Sequence, residues 1–128
     1  MAVQMATVCV DARDPVRIAR FWAEVLGWES GRDEDGDVWV RPPGGPGRAR
    51  PGRRGGGPPR LLFMAVPEPK VGKNRLHLDL VPDDYDAELV RLTELGATPV
   101  DVGQGGEEAW TVLADPEGNE FCLLVPEP

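Results

Sequence analysis

The feature that most constrains the fold of this chain is an internal repeat. A short alternating segment, Thr7-Val8-Cys9-Val10, is followed by an amphipathic stretch that begins at Asp14 and ends at Gly27. Further along, His77-Leu78-Asp79-Leu80 is followed by a second such stretch, which begins at Asp83 or Asp84 and ends at Gly96. Asp is a favoured helix N-cap and Gly a favoured C-terminal stop, so each half is predicted to open with a strand and a helix.

Three more strand-like runs follow each predicted helix. They cover residues 27–30, 37–41 and 60–66 in the first half, and residues 98–102, 108–114 and 120–125 in the second. The turn Asp115-Pro116-Glu117-Gly118-Asn119 joins the last two runs as a hairpin, because Pro presets the turn and Gly supplies a positive φ. Each half is therefore predicted to be a βαβββ module, which places the chain in the α+β class.

We expect one domain over residues 1–128 that is built from both modules, since neither module could bury its sheet alone. Module one covers about residues 1–66, a connector covers 67–74, and module two covers 75–128. Within module one, 13 of the 18 residues from 42 to 59 are Gly or Pro. Its four arginines suit either a nucleic-acid contact or a solvated loop, and this composition favours the loop.

Composition excludes several classes of partner. The chain has 22 acidic and 14 basic residues and a net charge of −8, which disfavours binding to nucleic acid or to an anionic membrane. No apolar run approaches the roughly 20 residues of a membrane span, and no secretory signal is visible. Cys9 and Cys122 lack CxxC spacing, so no disulfide framework is indicated. These features predict a reduced, cytoplasmic protein.

The motifs together resemble a known family. The first-helix motif has Asp14-Pro15 followed by Phe21-Trp22 and Leu26-Gly27-Trp28, and the hairpin motif is Asp115 to Asn119. In this order they resemble the glyoxalase/bleomycin-resistance/dioxygenase, or vicinal oxygen chelate, superfamily. The stretch from Pro67 to Leu80 is similar to its actinobacterial glyoxalase-like branch. The resemblance implies two modules whose mixed sheets curl around a shared cleft, a small-molecule ligand in that cleft, and a homodimer.

The resemblance also implies where metal ligands would lie. Metal-dependent members carry one on the first and one on the last strand of each module, which correspond here to Thr7, approximately Phe63 or Met64, His77 and Cys122. His77 alone is a common ligand in its family position. From Val38 through Pro67 there is no Asp, Glu, His or Cys. A catalytic zinc site needs at least three protein ligands, so we predict neither a metal nor another cofactor.

The alternation of side chains along a strand predicts which of the remaining candidates face the cleft. If Leu78 and Leu80 pack on the helices, His77 and Asp79 face the cleft, as do Glu120 and Cys122 on the last strand. Trp39 and Trp110 are candidates for an aromatic cleft wall, although their facing is not fixed by the pattern. The predicted ligand-binding set is Thr7, Met64, His77, Trp39, Trp110, Glu120 and Cys122.

Three functions remain open. The favoured one is a small-molecule-binding protein without a catalytic metal. The alternative is a metal-independent isomerase or lyase in which His77 is the general base, assisted by Asp79 or Glu120. For His77, a structural histidine is slightly favoured over a general base. Cys122 is a nucleophile or, as is usual for buried cysteines, a small hydrophobe. A metal-dependent lactoylglutathione lyase or dioxygenase is least favoured.

Overall fold

The computed structural model describes residues 3–44, 58–100 and 110–125. The chain divides into two compact units, residues 1–69 and 70–128. The first contains β1 (Thr7–Ala12), α1 (Pro15–Leu26), β2 (Glu29–Arg32), β3 (Val38–Arg41) and β4 (Arg60–Ala65). The second contains β5 (Asp79–Leu80), α2 (Tyr85–Leu95), β6 (Thr98–Pro99), β7 (Trp110–Ala114) and β8 (Glu120–Leu124). The predicted βαβββ repeat and the α+β class are confirmed.

The two sheets have the same topology. Their strand orders are β1-β4-β3-β2 and β5-β8-β7-β6, so in each unit the first strand pairs with the last. That pair is parallel and the other pairs are antiparallel. Cys9 lies beside Leu62 in the first sheet, and Asp79 lies beside Cys122 in the second. Cys9 and Asp79 each lie five residues before the Asp that caps the following helix, so their strand partners Leu62 and Cys122 are at corresponding positions.

Helix α1 begins and ends where the sequence predicts. The Asp14 carboxylate accepts a hydrogen bond from the Arg17 backbone N–H at 3.1 Å, and Gly27 ends the helix with a φ of 68°. Only glycine adopts this left-handed conformation without strain. The helix buries five residues against its sheet: Ile18, Ala19, Phe21, Trp22 and Val25. A broad apolar stripe thus makes α1 the main packing partner of the first sheet.

Helix α2 is less deeply buried. Of the two candidate caps, Asp84 is the one used, since its carboxylate accepts a hydrogen bond from the Ala87 N–H at 3.1 Å. Leu92 is the one residue of the helix that is fully buried. The Tyr85 hydroxyl is hydrogen-bonded to Thr111 on β7. The second unit therefore holds its helix with one deep apolar contact and a polar contact near the N-terminal end.

Some predicted boundaries are wrong. The run predicted at 27–30 is displaced, because Gly27 caps α1 and the Trp28 N–H still donates to the Ala23 carbonyl. Strand β2 accordingly starts at Glu29. Part of the predicted 42–59 loop, the end of the run at 98–102 and the start of the run at 108–114 lie outside the described residues. Across the described ranges, no helix is long and apolar enough to cross a bilayer.

The predicted hairpin is built around a buried carboxylate. Asp115 is 4% exposed, and its Oδ1 accepts hydrogen bonds from the backbone N–H groups of Glu117 and Asn119. Gly118 has a φ of 91°, as the turn requires. The sequence predicts the turn from Pro116 and Gly118, whereas the side chain that organises it is Asp115. This turn fixes the start of β8, on which the candidate site depends.

Candidate ligand-binding site

Three reactive side chains meet on one face of the second sheet. The His77 Nδ1 lies 3.0 Å from Asp79 Oδ1 and 3.8 Å from the Cys122 Sγ. Asp79 and Cys122 are neighbours in the parallel register of β5 and β8, and the Cys122 N–H donates to the Leu78 carbonyl at 2.9 Å. His77 stands two residues before Asp79, so its side chain is on the same side of the strand. We call this surface the His77 face.

A pocket of about 250 Å³ opens on the His77 face. It combines an apolar wall with converging polar groups, and its lining consists of Lys73, His77, Asp79, Val112, Glu120, Cys122 and Leu124. All of these residues belong to the second unit. The side chains of His77 and Asp79 are 46% and 49% exposed, so a ligand could reach both of them. Pockets that bind small molecules are usually lined in this mixed way.

The hydrogen bond between His77 and Asp79 determines what the imidazole offers. A neutral histidine whose Nδ1–H donates to a carboxylate keeps an unprotonated Nε2. Asp79 thus orients the ring and selects the tautomer. Side chains two residues apart along a strand touch only in some rotamers, and the rotamers of His77 and Asp79 in this structure bring the two side chains into contact. His77 is therefore equipped to accept a hydrogen bond or a proton from a ligand through Nε2.

Cys122 is poorly suited to act as a nucleophile. The residue is 6% exposed, and burial raises the pKa of its thiol above the ordinary value of 9.0. The negative charge of Asp79 and its hydrogen bond raise this pKa further, while the positive charge of Lys73 opposes them. The thiol is therefore protonated at neutral pH. Its place in the pocket is that of a small polarizable wall residue.

Glu120 is held by the segment that precedes β5. Its Oε1 accepts a hydrogen bond from Lys70 Nζ at 2.8 Å, and its Oε2 accepts one from the Asn74 backbone N–H at 2.9 Å. Burial alone would raise the pKa of Glu120, but these hydrogen bonds outweigh it and lower the pKa. The Lys70 ammonium also donates to the Gly72 carbonyl. The connector predicted at 67–74 is therefore anchored to β8 through residues 70–74. We call the contacts of Glu120 with Lys70 and Asn74 the Glu120 clamp.

The predicted site residues of the first unit lie on the face of its own sheet that carries Trp39. The Thr7 hydroxyl accepts a hydrogen bond from Arg60 Nε at 3.1 Å. The Trp39 ring lies against Gly31, where an added Cβ would be 2.3 Å from the ring, and the Arg41 guanidinium lies over the ring, 4.1 Å from its centroid. Met64 is 37% exposed. Strand alternation did not predict which face of the sheet carries Trp39. The glycine at position 31, in the middle of β2, was the available signal, because it leaves room for a large side chain on the neighbouring strand.

Of the two approximate ligand positions on β4, Phe63 or Met64, Phe63 is contradicted by the structure. Phe63 is 1% exposed and belongs to the apolar core, because β4 alternates and places Leu61 and Phe63 on its buried side. The register makes Leu62 the counterpart of Cys122. Among the other predicted residues, Trp110 lies on β7 opposite Leu124, and its side chain is outside what the structure describes. The structure thus brings together His77, Asp79, Glu120 and Cys122.

The side chains present do not reproduce the metal site implied by the resemblance. On the His77 face, ligand atoms of His77, Asp79 and Cys122 lie within 4.8 Å of one another, so Asp79 joins the two positions, His77 and Cys122, that the resemblance implies. The corresponding positions of the first module are Thr7, whose hydroxyl is bonded to Arg60, and Leu62. A site with ligands from the first and last strands of both modules therefore does not fit this chain.

Comparison with known proteins agrees with this fold. The family model described as "Glyoxalase-like domain" matches residues 7–124. The structure is similar to TnmS3, an antibiotic binding protein from Streptomyces sp. CB03234, with a TM-score of 0.62, 23% identity and coverage of 99% of both chains. It is similar to the fosfomycin resistance protein FosX from Mesorhizobium loti, with a TM-score of 0.62, 16% identity, and 98% of this chain and 91% of that one covered.

A glyoxalase/bleomycin resistance protein/dioxygenase family enzyme from Burkholderia phytofirmans PsJN is similar as well. Its TM-score is 0.66 at 19% identity, with 94% of this chain and 97% of that chain covered. The search of curated proteins gives no significant match. At these identities the structural matches establish the fold.

Proposed function

Because the chain belongs to the glyoxalase-like domain family, we propose that it binds an organic small molecule on its His77 face without a catalytic metal. The observation that carries this proposal is the pocket that joins Val112 and Leu124 to the polar groups of His77 and Asp79. Its volume of about 250 Å³ is just below the roughly 300–1,000 Å³ of typical ligand sites. It suits a small ligand, or one end of a larger one.

The polar groups define the chemistry of the ligand. Asp79 accepts hydrogen bonds and His77 Nε2 accepts one more, so a ligand with a hydroxyl or amine beside an apolar surface is favoured. Lys73 supplies a donor at the pocket wall. Glu120 has both carboxylate oxygens occupied by Lys70 and Asn74, so it shapes the pocket. An antibiotic-binding structure and a resistance protein share this fold, which makes antibiotics the first ligands to test.

A thermal-denaturation screen tests the proposal. Fosfomycin, bleomycin and polycyclic aromatic antibiotics are added to the protein with and without EDTA. A ligand that binds the native state at 100 times its Kd stabilises it by about 2.7 kcal/mol, which shifts Tm by several degrees. We expect a shift that is insensitive to EDTA and lost in His77→Ala, but kept in Glu94→Gln, an exposed glutamate on α2. A shift that His77→Ala leaves intact would refute this site.

The second candidate is a metal-independent isomerase or lyase, favoured by the contact between His77 and Asp79. In that reaction His77 Nε2 would take a proton from a carbon beside a carbonyl, and Asp79 would stabilise the imidazolium. Proton NMR spectra of each stabilising ligand after incubation separate the candidates, because an isomer has the same mass as its substrate but a different spectrum. Unchanged ligand supports binding alone. Conversion that is abolished by His77→Ala and slowed by Asp79→Asn supports the enzyme.

The metal-free part of the proposal has its own test. The protein is loaded with Zn²⁺, Ni²⁺ or Mn²⁺, desalted, and measured by elemental analysis. Substoichiometric retention is expected, because the first module contributes Thr7 and Leu62 where ligands would be required. Retention of one ion per chain that is lost in His77→Ala would overturn this part and would identify His77, Asp79 and Cys122 as sufficient ligands.

A further inference from the structure

A second concave site lies in the first unit, beside the edge strand of its sheet, and its lining shares no residue with the pocket on the His77 face. It is a groove of about 300 Å³ between α1 and β2, and we call it the α1–β2 groove. Its apolar surface comes from Val16, Ala23, Trp28 and Val38, and its charged rim includes Arg20 and Arg32. All of these residues belong to the first unit.

The groove follows from two periodicities in the sequence. On α1, Val16, Arg20 and Ala23 are spaced by four and three residues, so they share one side of the helix. Trp28, Ser30 and Arg32 alternate along the approach to β2 and along the strand itself, so they share its other wall. A strand face that packs on a helix usually carries apolar residues at such positions. Ser30 and Arg32 are polar and exposed, and they leave the groove open.

The two arginines give the groove a charge opposite to that of the whole chain. Among the residues that the structure describes, neither Arg20 nor Arg32 forms an ion pair, although the net charge of the chain is −8. Arg20 belongs to the helix wall of the groove and Arg32 to the strand wall. Arginine binds carboxylates, sulfonates and phosphates through paired N–H donors. Two available guanidinia across a groove therefore favour an anionic group between them.

The surroundings also specify the rest of the ligand. Glu24 lines the groove and already has an interaction partner, and the acidic turn from Asp33 to Asp37 follows directly after Arg32. These carboxylates weaken the attraction for a bare inorganic anion. The half-buried Trp28 ring and the apolar floor formed by Val38 add contact area for a hydrophobic body. An anion attached to an aromatic or aliphatic body satisfies both conditions.

We propose that the α1–β2 groove is a binding site for an organic anion, with its anionic group held by Arg20 and Arg32 and its apolar body against Trp28. This site shares no residue with the pocket on the His77 face, so it is independent of the function proposed above. It gives each unit of the chain a ligand site of its own.

An NMR titration with 2-naphthoate tests the proposal on the full chain. We expect saturable shifts at the backbone amides of Trp28 to Arg32 and at the Trp28 indole. Arg20→Gln and Arg32→Gln should each raise the Kd by about 2- to 5-fold, which is the range for exposed charge contacts. The double variant should raise the Kd by about 5- to 20-fold. Arg75→Gln, an exposed arginine of the second unit, is the matched control and should leave the Kd unchanged.

Two further arms make the result decisive. The uncharged methyl ester of 2-naphthoate should bind at least about 5-fold more weakly than the acid. Raising the salt concentration should weaken the binding of the acid but not that of the ester. Arg20→Lys and Arg32→Lys preserve the charge and should recover part of the affinity. Equal binding of acid and ester, shifts confined to β5 and β8, or an unchanged Kd in the double glutamine variant would each overturn the proposal.

Discussion

The two modules have the same strand order and register, but they carry different chemistry at corresponding positions. Thr7, Cys9 and Leu62 of the first sheet correspond to His77, Asp79 and Cys122 of the second. In the first set, the Thr7 hydroxyl is bonded to Arg60 and Cys9 is exposed. In the second set, an imidazole, a carboxylate and a thiol lie in mutual contact. The repeat thus fixes where side chains point, and residue identity decides what each face can do.

The modules also differ in how they hold their helices. Helix α1 buries five residues, whereas α2 buries Leu92 alone. The second module has a polar anchor instead, the Glu120 clamp, which binds residues 70–74 to β8. Apolar burial dominates the first module, and the second combines less burial with specific polar contacts. Substitutions in the two modules should therefore respond differently to pH and to local packing.

The largest effect is expected at Leu92. Replacing this 1% exposed side chain with alanine removes the single deep contact of α2 and should cost about 2–5 kcal/mol of unfolding free energy. Urea denaturation measures the cost, and hydrogen exchange should show the loss of protection concentrated in α2. Val90→Ala, on the same helix but 58% exposed, should cost less than about 0.5 kcal/mol. Equal costs for the two variants would mean that α2 is held by something other than Leu92.

The next effect concerns the Glu120 clamp. Glu120→Gln keeps the shape but removes the charge that Lys70 contacts, and should cost about 1–3 kcal/mol at pH 7. The folded pKa of Glu120 lies below its ordinary value of 4.5, so its contribution is present above pH 4.5 and is lost as the pH falls through the folded pKa. The difference between wild type and variant should therefore shrink in acid.

Urea denaturation from pH 3 to pH 7 checks this dependence on pH. Glu94→Gln, which changes an exposed carboxylate on α2, is the control and should show a small effect at every pH. A cost for Glu120→Gln that stays constant down to pH 3 would show that the lost interaction is steric.

The elements that were predictable from the sequence are those that depend on local signals. Asp14 with Gly27, and Gly96 at the end of the second helix, define the helix limits through backbone requirements that few residues meet. The alternation of β8 likewise predicts that Glu120 and Cys122 share a face, and both line the pocket. Such signals extend over a few residues, and the sequence contains them in full.

The missed features all depend on contacts between distant residues. Glu120 and Lys70 are 50 positions apart, so nothing local distinguishes the clamp from a solvated linker. Phe63 was misplaced because a shift of one residue along a strand moves a side chain to the opposite face. The contact between His77 and Asp79 depended on rotamers that only the folded chain determines. Register and rotamers are properties of the assembled sheet, so the chemistry of the site was harder to predict than its location.

An effect comparable to that of the Glu120 clamp should appear where the first module packs its aromatic face. Gly31→Ala places a Cβ within 2.3 Å of the Trp39 ring and should cost about 1–3 kcal/mol, since overpacking displaces the indole from its contact with Arg41. Urea denaturation and tryptophan fluorescence measure both changes. Combining Gly31→Ala with Trp39→Leu should recover much of the loss, because the smaller side chain leaves room for the methyl group. Additive losses in the double variant would contradict this steric account.

The smallest effect, and the most direct comparison of the modules, is the reactivity of their two cysteines. Cys9 is exposed and Cys122 is buried with a raised pKa, so iodoacetamide should modify Cys9 first at pH 8. Asp79→Asn removes a negative charge that raises the pKa of Cys122, and should increase its alkylation rate by up to about 5-fold. Lys73→Gln removes a positive charge that lowers this pKa, and should slow the reaction.

Peptide mass spectrometry follows each cysteine separately, and the rate at Cys9 is the internal control in both variants. Opposite changes at Cys122 in Asp79→Asn and Lys73→Gln require an electrostatic cause, because a general loosening of the second module would accelerate alkylation in both. Acceleration in both variants would instead mean that access limits the reaction at Cys122. In that case the contact of Cys122 with His77 and Asp79 would contribute to packing on the His77 face and not to the reactivity of the thiol. His77 and Asp79 would then be the residues that distinguish the chemistry of the second module from that of the first.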